Sequence, residues 1–161
     1  MGARLKRWLA AALLAFALAL SPARPAEAFL DKTRFLAHLG IAYFCFHHWV
    51  LNPYRQGAFA AGVPHRVAAL VKGGVALLFA VHEVRVAHDI AHKSSDPLLH
   101  KLDMEVIGLT ASLAAVGEKM KGGHFDPSDA DNLNSETTKV GSDAAANGAS
   151  IKDVPVTLPG T

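Results

Sequence analysis

Nine histidines fall between His38 and His124, and the densest stretch reads His82-Glu83-Val84-Arg85-Val86-Ala87-His88-Asp89-Ile90-Ala91-His92. Imidazole is the commonest protein metal ligand and the side chain whose charge changes nearest physiological pH. On a helix, His88 and His92 stand four residues apart, so their rings leave one face about a turn from each other. That spacing can hold one divalent ion between two imidazoles. Asp89 lies beside the pair, and His82 or Glu105 could approach from elsewhere. The candidate metal set is therefore His88, His92 and His82. The competing reading is a solvated helix end with His88 packed at its edge. It is favoured here, because pairs at this spacing arise readily in a histidine-rich chain.

The segment His88-Asp89-Ile90-Ala91-His92 resembles the zincin motif in its two histidines. Asp89 stands where that motif carries its glutamate general base, and no third ligand is evident, so no protease activity is carried over. His47 and His48 differ by about 100° around a helix and cannot face the same way. One of them is expected to cap the carbonyls of its helix end, where a cation suits the dipole. His38 with Asp31 and Arg34 reads as a surface polar network. His65, His100 and His124 are assigned no role. Asp103 and Glu105 diverge on a helix, so no paired acid–base site is implied. Nucleophile elbow, phosphate loop, Cys-x-x-Cys and haem-attachment patterns are all missing from the sequence. No catalytic residue and no cofactor is expected; a divalent metal is the one inorganic ligand the pattern admits.

The elements that must position these residues are helical. The first is expected from about Leu30 to Leu51, capped by Asp31 and stopped at Asn52-Pro53. A loop rich in Gly and Pro follows, with Phe59 tucking back toward the core. The second helix runs from near His65 to Lys93. Its centre is apolar all round, while Glu83, Arg85, Asp89, His92 and Lys93 are expected on its outward side. Gly73-Gly74 costs helix propensity and suggests close approach of a neighbour. The third helix opens on an Asp96-Pro97 cap, and Leu98, Leu102, Val106, Leu109, Leu113, Val116 and Met120 form its apolar stripe. Asp126-Pro127 repeats the entry device for a fourth, mostly polar helix carrying Leu133, Thr137, Val140 and Ala144.

The first 28 residues read as an address. Arg4, Lys6 and Arg7 precede an apolar run of 13 residues, Trp8 to Leu20, and Ala26-Glu27-Ala28 offers a small-x-small cleavage site. Thirteen helical residues span about 20 Å, short of the ~30 Å hydrocarbon core. Cleavage after Ala28 is expected. The 16 basic and 14 acidic residues of the chain then lose Arg4, Lys6, Arg7, Arg24 and Glu27, leaving 12 and 13. The basicity belongs to the leader, which removes a nucleic-acid reading. The remaining 133 residues suffice for one core without disulfides, and the single Cys45 lies in an apolar helical stretch as a buried, inert thiol.

The fold expected is all-α: an up-down bundle of about four helices after an N-terminal signal peptide, with an extended or disordered C-terminal tail. Its domains are a signal peptide over 1–28, a helical bundle over 29–147 and a tail over 148–161. A membrane reading competes, since Phe35–Leu51 and Val67–Val81 are very apolar stretches of 17 and 15 residues. Both are short for a span, and Lys72, His38, His47 and His48 interrupt them. The function expected is a non-enzymatic binding or structural role outside the cytoplasm, with unknown partner and oligomeric state. A histidine-based metal-binding or pH-responsive protein and a small integral membrane protein are the alternatives.

Overall fold

The computed structural model describes residues 24–158; the basic and apolar parts of the expected leader, and the last three residues, lie outside the described residues. All regular structure among the described residues is helical: α1 (Arg24–Phe46), a π-helical turn (His47–Leu51), α2 (Asn52–Arg55), α3 (Arg66–Lys93), α4 (Pro97–Lys121) and α5 (Pro127–Ala146). Cross-helix contacts fix the topology. His38 meets Glu83 while Trp49 lies against Gly73, so α1 and α3 are antiparallel. His88 meets Asp103 while Gly74 meets Gly117, so α3 and α4 are antiparallel. Lys119 meets Asp129 and Glu105 meets Lys139, which sets α5 antiparallel to α4. The four long helices thus run up and down in sequence, with α3 packed along both α1 and α4.

The entry device at α4 works as the sequence predicts: the Asp96 carboxylate accepts from the Leu98 amide at 2.8 Å, with Pro97 in the first turn. Asp126 does the same for the Ser128 amide at 2.9 Å. The buried stripe of α4 is Leu99, Leu102, Val106, Leu109, Leu113, Val116 and Met120, alternating three and four residues throughout. Leu98, expected to head the stripe, is only half-buried; Leu99 takes the place because the alternation carries back one more turn. These residues share one hydrophobic core with Phe35, Leu39 and Phe46 of α1, Leu70 and Leu77 of α3, and Leu133 of α5, all sealed from solvent. Phe59 folds back from the loop onto this core and packs against Phe125.

Two expectations about the first helix are corrected. It is already helical at Arg24, the first described residue, across the expected cleavage boundary. Nor do Asn52 and Pro53 stop the helix. The chain first widens into a π turn, in which the Asn52 amide bonds the His47 carbonyl, and then continues to Arg55. Pro53 cannot donate to the Trp49 carbonyl four residues back, and the wider turn relieves the crowding its ring would cause there. Gly73 leaves room for that carbonyl: a Cβ on Gly73 would lie 3.0 Å from it.

The expected close approach at Gly73-Gly74 is real. A Cβ at Gly74 would meet the Gly117 carbonyl oxygen at 2.7 Å, so α3 and α4 touch backbone to backbone. At the other end of the chain, Gly148 turns with φ 73° and residues 149–158 return across α1. The Val154 amide bonds the Gly40 carbonyl at 3.0 Å, and Ala149 and Leu158 are buried.

Candidate functional site

Three histidines form cross-element pairs with carboxylates. His38 Nδ1 lies 2.7 Å from Glu83 on α3, His47 Nδ1 lies 2.8 Å from Asp153 in the returning tail, and His88 Nδ1 lies 2.6 Å from Asp103 on α4. An ionised carboxylate only accepts, so in each pair the ring nitrogen donates. A neutral ring that donates from Nδ1 keeps its lone pair on Nε2.

The chemistry gathers most at the third pair. Asp103 Oδ1 accepts from His88, and its second oxygen lies 3.7 Å from His92 Nδ1. The two rings are 5.9 Å apart between centroids and inclined by 41°. Asp103 is sheltered, with 15% of its side chain exposed, against 31% for His88 and 72% for His92. An open groove of about 420 Å³ starts beside His88 and is lined by Arg85, Ile107, Thr110, Ala111 and Ala114. Of the candidate set, His88 and His92 come together as their spacing predicts. His82 is exposed and six residues earlier, which places it about 120° around α3 from His88. Asp89 is exposed on the same helix, and Glu105 turns away to Lys139. Among the described residues no group of three or more His, Cys, Asp or Glu side chains is arranged to hold a metal ion.

Asp103 belongs to no sequence motif. Its signal lies in the hairpin: α3 and α4 are joined by only Ser94-Ser95-Asp96, so residues nearly equidistant from Ser95 must meet, and His88 and Asp103 are such residues.

The other histidines depart from expectation in instructive ways. Glu83, expected on the outward side of α3, is 7% exposed. It turns inward because His38 on α1 supplies the partner that a buried carboxylate requires. His38 accordingly joins Glu83 instead of the expected network with Asp31 and Arg34. Neither His47 nor His48 caps a helix end, because the helix does not end there: His47 holds the tail, and His48 stacks on Phe44 at 4.9 Å. Beneath the tail, Tyr43, His47, Thr137, Ser142 and Asp153 line an open groove of about 380 Å³. The Tyr43 hydroxyl donates to the Thr137 carbonyl at 2.6 Å, and burial, with the Glu105 charge second, pushes its ionisation well above the usual phenol range.

Asp103 and Glu105 diverge as expected, yet Glu105 finds a second carboxylate across the helices. Ser112 on α4 donates to Glu136 on α5 at 2.9 Å, and Lys139 bonds Glu105 and Asp143. The hydrogen bond that Lys139 donates to Glu105 raises the Lys139 ionisation, and the one it donates to Asp143 lowers that of Asp143. The arrangement is a surface ion-pair network that ties α4 to α5.

Cys45 is fully buried, and burial, with the Glu83 charge second, pushes its thiol from 9.0 up to about 12. It is a packed, protonated side chain, as its apolar surroundings predict. No protein-family pattern matches this chain, and no similar curated protein or solved structure was found.

Proposed function

We propose that the chain is an exported helical protein with a non-enzymatic binding or structural role outside the cytoplasm. The observation that carries the reading is apolar surface left open on two well-packed helices. Val67, Val71 and Val75 recur every fourth residue along α3 and are 61%, 37% and 39% exposed, while Met104 and Ile107 on α4 are 74% and 43% exposed. Repeated apolar positions facing outward are what a docking helix presents. The start of α1 supports processing after Ala28. Phe29 and Leu30 are 69% and 58% exposed, and among the described residues the first sealed core residue is Phe35, so cutting there removes no described core side chain. A photo-crosslinker placed at Val71 should trap a discrete species in the cell envelope, whereas one at exposed Ser135 on polar α5 should not. Equal trapping at both sites, or at neither, would discard the reading, as would a mature chain confined to the cytoplasm.

A membrane reading draws on α3. Among the described residues it is the one helix long and apolar enough to cross a bilayer by length and composition, with mean hydropathy 1.7 over its best window. Half of that window is buried against its neighbours, as in a soluble core helix. Recovery of the chain in a detergent-free soluble fraction would set the membrane alternative aside. A histidine-based reading draws on His88 and His92, which share Asp103; His82 would join only by moving around α3.

A further inference from the structure

We propose that Asp103 converts His88 and His92 into a two-imidazole site for a divalent transition-metal ion, each ring offering its Nε2. The proposal rests on the histidine reading above and adds to it a positioning residue and a ligand class. Ligating histidines characteristically donate their second ring nitrogen to a carboxylate, which fixes the tautomer and makes the ligand nitrogen more basic. His88 makes that hydrogen bond to Asp103 Oδ1 at 2.6 Å, which leaves its Nε2 as an acceptor. The Nδ1 of His92 stands 3.7 Å from Oδ2, beyond hydrogen-bond length but within reach of the carboxylate charge, so Asp103 fixes one ring and lies beside the other.

The distance suits one ion. A ring centroid stands ~3.2 Å from a metal bound to its Nε2 at about 2.1 Å, so one ion serves centroids up to ~6.4 Å apart. The observed 5.9 Å lies inside that limit. The orienting carboxylate is sheltered while both ligand rings reach solvent, so an ion can enter without disturbing the bundle. Asp89 and Asp103 supply negative charge nearby, against Arg85 in the adjoining groove.

The donors select the ion. Imidazole nitrogen favours copper, nickel and zinc over magnesium or calcium, and simple ligand sets favour Cu2+ over Ni2+ and Zn2+. With two protein ligands, water completes the coordination, and the site exchanges its ion more readily than a closed four-ligand cage.

The test titrates Cu2+, Zn2+ and Mg2+ separately into the purified protein at neutral pH, following heat and the imidazole 15N resonances. The expected result is one equivalent of Cu2+, weaker Zn2+ and no Mg2+. His88→Ala and His92→Ala should each abolish Cu2+ binding, and His47→Ala should leave it unchanged. Asp103→Ala should weaken it about 10–100-fold and, in the ion-free protein, release His88 from its Nδ1–H tautomer; Asp103→Glu should recover part of the affinity. If Asp103→Ala does not fold, Asp103→Asn keeps the volume without the charge and carries the same loss of affinity. Binding that needs both histidines but is indifferent to Asp103 would overturn the assignment of Asp103 and leave the histidine reading standing. Absence of wild-type binding, or binding that survives loss of both histidines, would overturn the two together.

Discussion

Individual side chains in this protein are governed by what lies across the helix interface. Glu83 reads as solvent-facing in its own helix, and His38 forty-five residues away makes it a buried group. Burial, with the Glu83 charge second, acts on Cys45, pushing its thiol up to about 12 in the folded chain from 9.0 when exposed. A proton retained by the folded state alone means that stability is fully present below about pH 9 and is lost as pH rises toward 12. Tyr43 acts in the same direction at higher pH. Denaturant unfolding at stepped pH should therefore give a free energy that falls above about pH 9, with a shallower fall in Cys45→Ala. A flat profile through that window in the unaltered protein would show that the folded thiol titrates freely. The buried stripe and the inert cysteine could be read from apolar spacing, whereas Glu83 and Asp103 could not, since each is defined by a partner on another helix.

At the scale of elements, glycine separates two kinds of helix position. Gly74 lies where α3 and α4 touch backbone to backbone, and an added Cβ would sit 2.7 Å from the Gly117 carbonyl oxygen. Gly108, on the same helix pair, has nothing within 4 Å of such an atom. Gly74→Ala should destabilise the fold by about 1–3 kcal/mol, as overpacking does. Gly108→Ala should stabilise it by roughly 0.5–1 kcal/mol, because alanine loses less backbone freedom in a helix. Thermal melts of the two variants should move in opposite directions; shifts of one sign would refute this account of the interface. The glycine pair signalled a close approach in the sequence, but the identity of the neighbour came from the short α3–α4 connection. The π turn was not legible, because Asn52-Pro53 reads as a stop unless the turn before it can widen.

At the scale of the molecule, the bundle is tied off by the returning segment 149–158. The segment 149–158 crosses α1 at Gly40, where an added Cβ would collide with the Lys152 carbonyl and lie 2.8 Å from a Val154 methyl. His47 and Asp153 fasten the same crossing. Gly40→Val should therefore lift the tail while leaving α1, α3 and α4 packed. Limited proteolysis after Lys152 should accelerate at least several-fold, with helical circular dichroism nearly unchanged. Unaltered cleavage would show that the tail is held elsewhere.

The sequence by itself determined the helical class, the capped starts of α4 and α5 and the buried stripe of α4. These follow from local rules: periodicity, capping and proline geometry act within a few residues. Only the tertiary structure decided that the helical path from α1 continues through a π turn into Pro53 of α2, that Glu83 is buried, that the tail returns to Gly40 and that Asp103 lies between His88 and His92. Each of these depends on a partner distant in sequence, and pairing across a bundle is fixed by how helix faces pack rather than by the residues of any one helix.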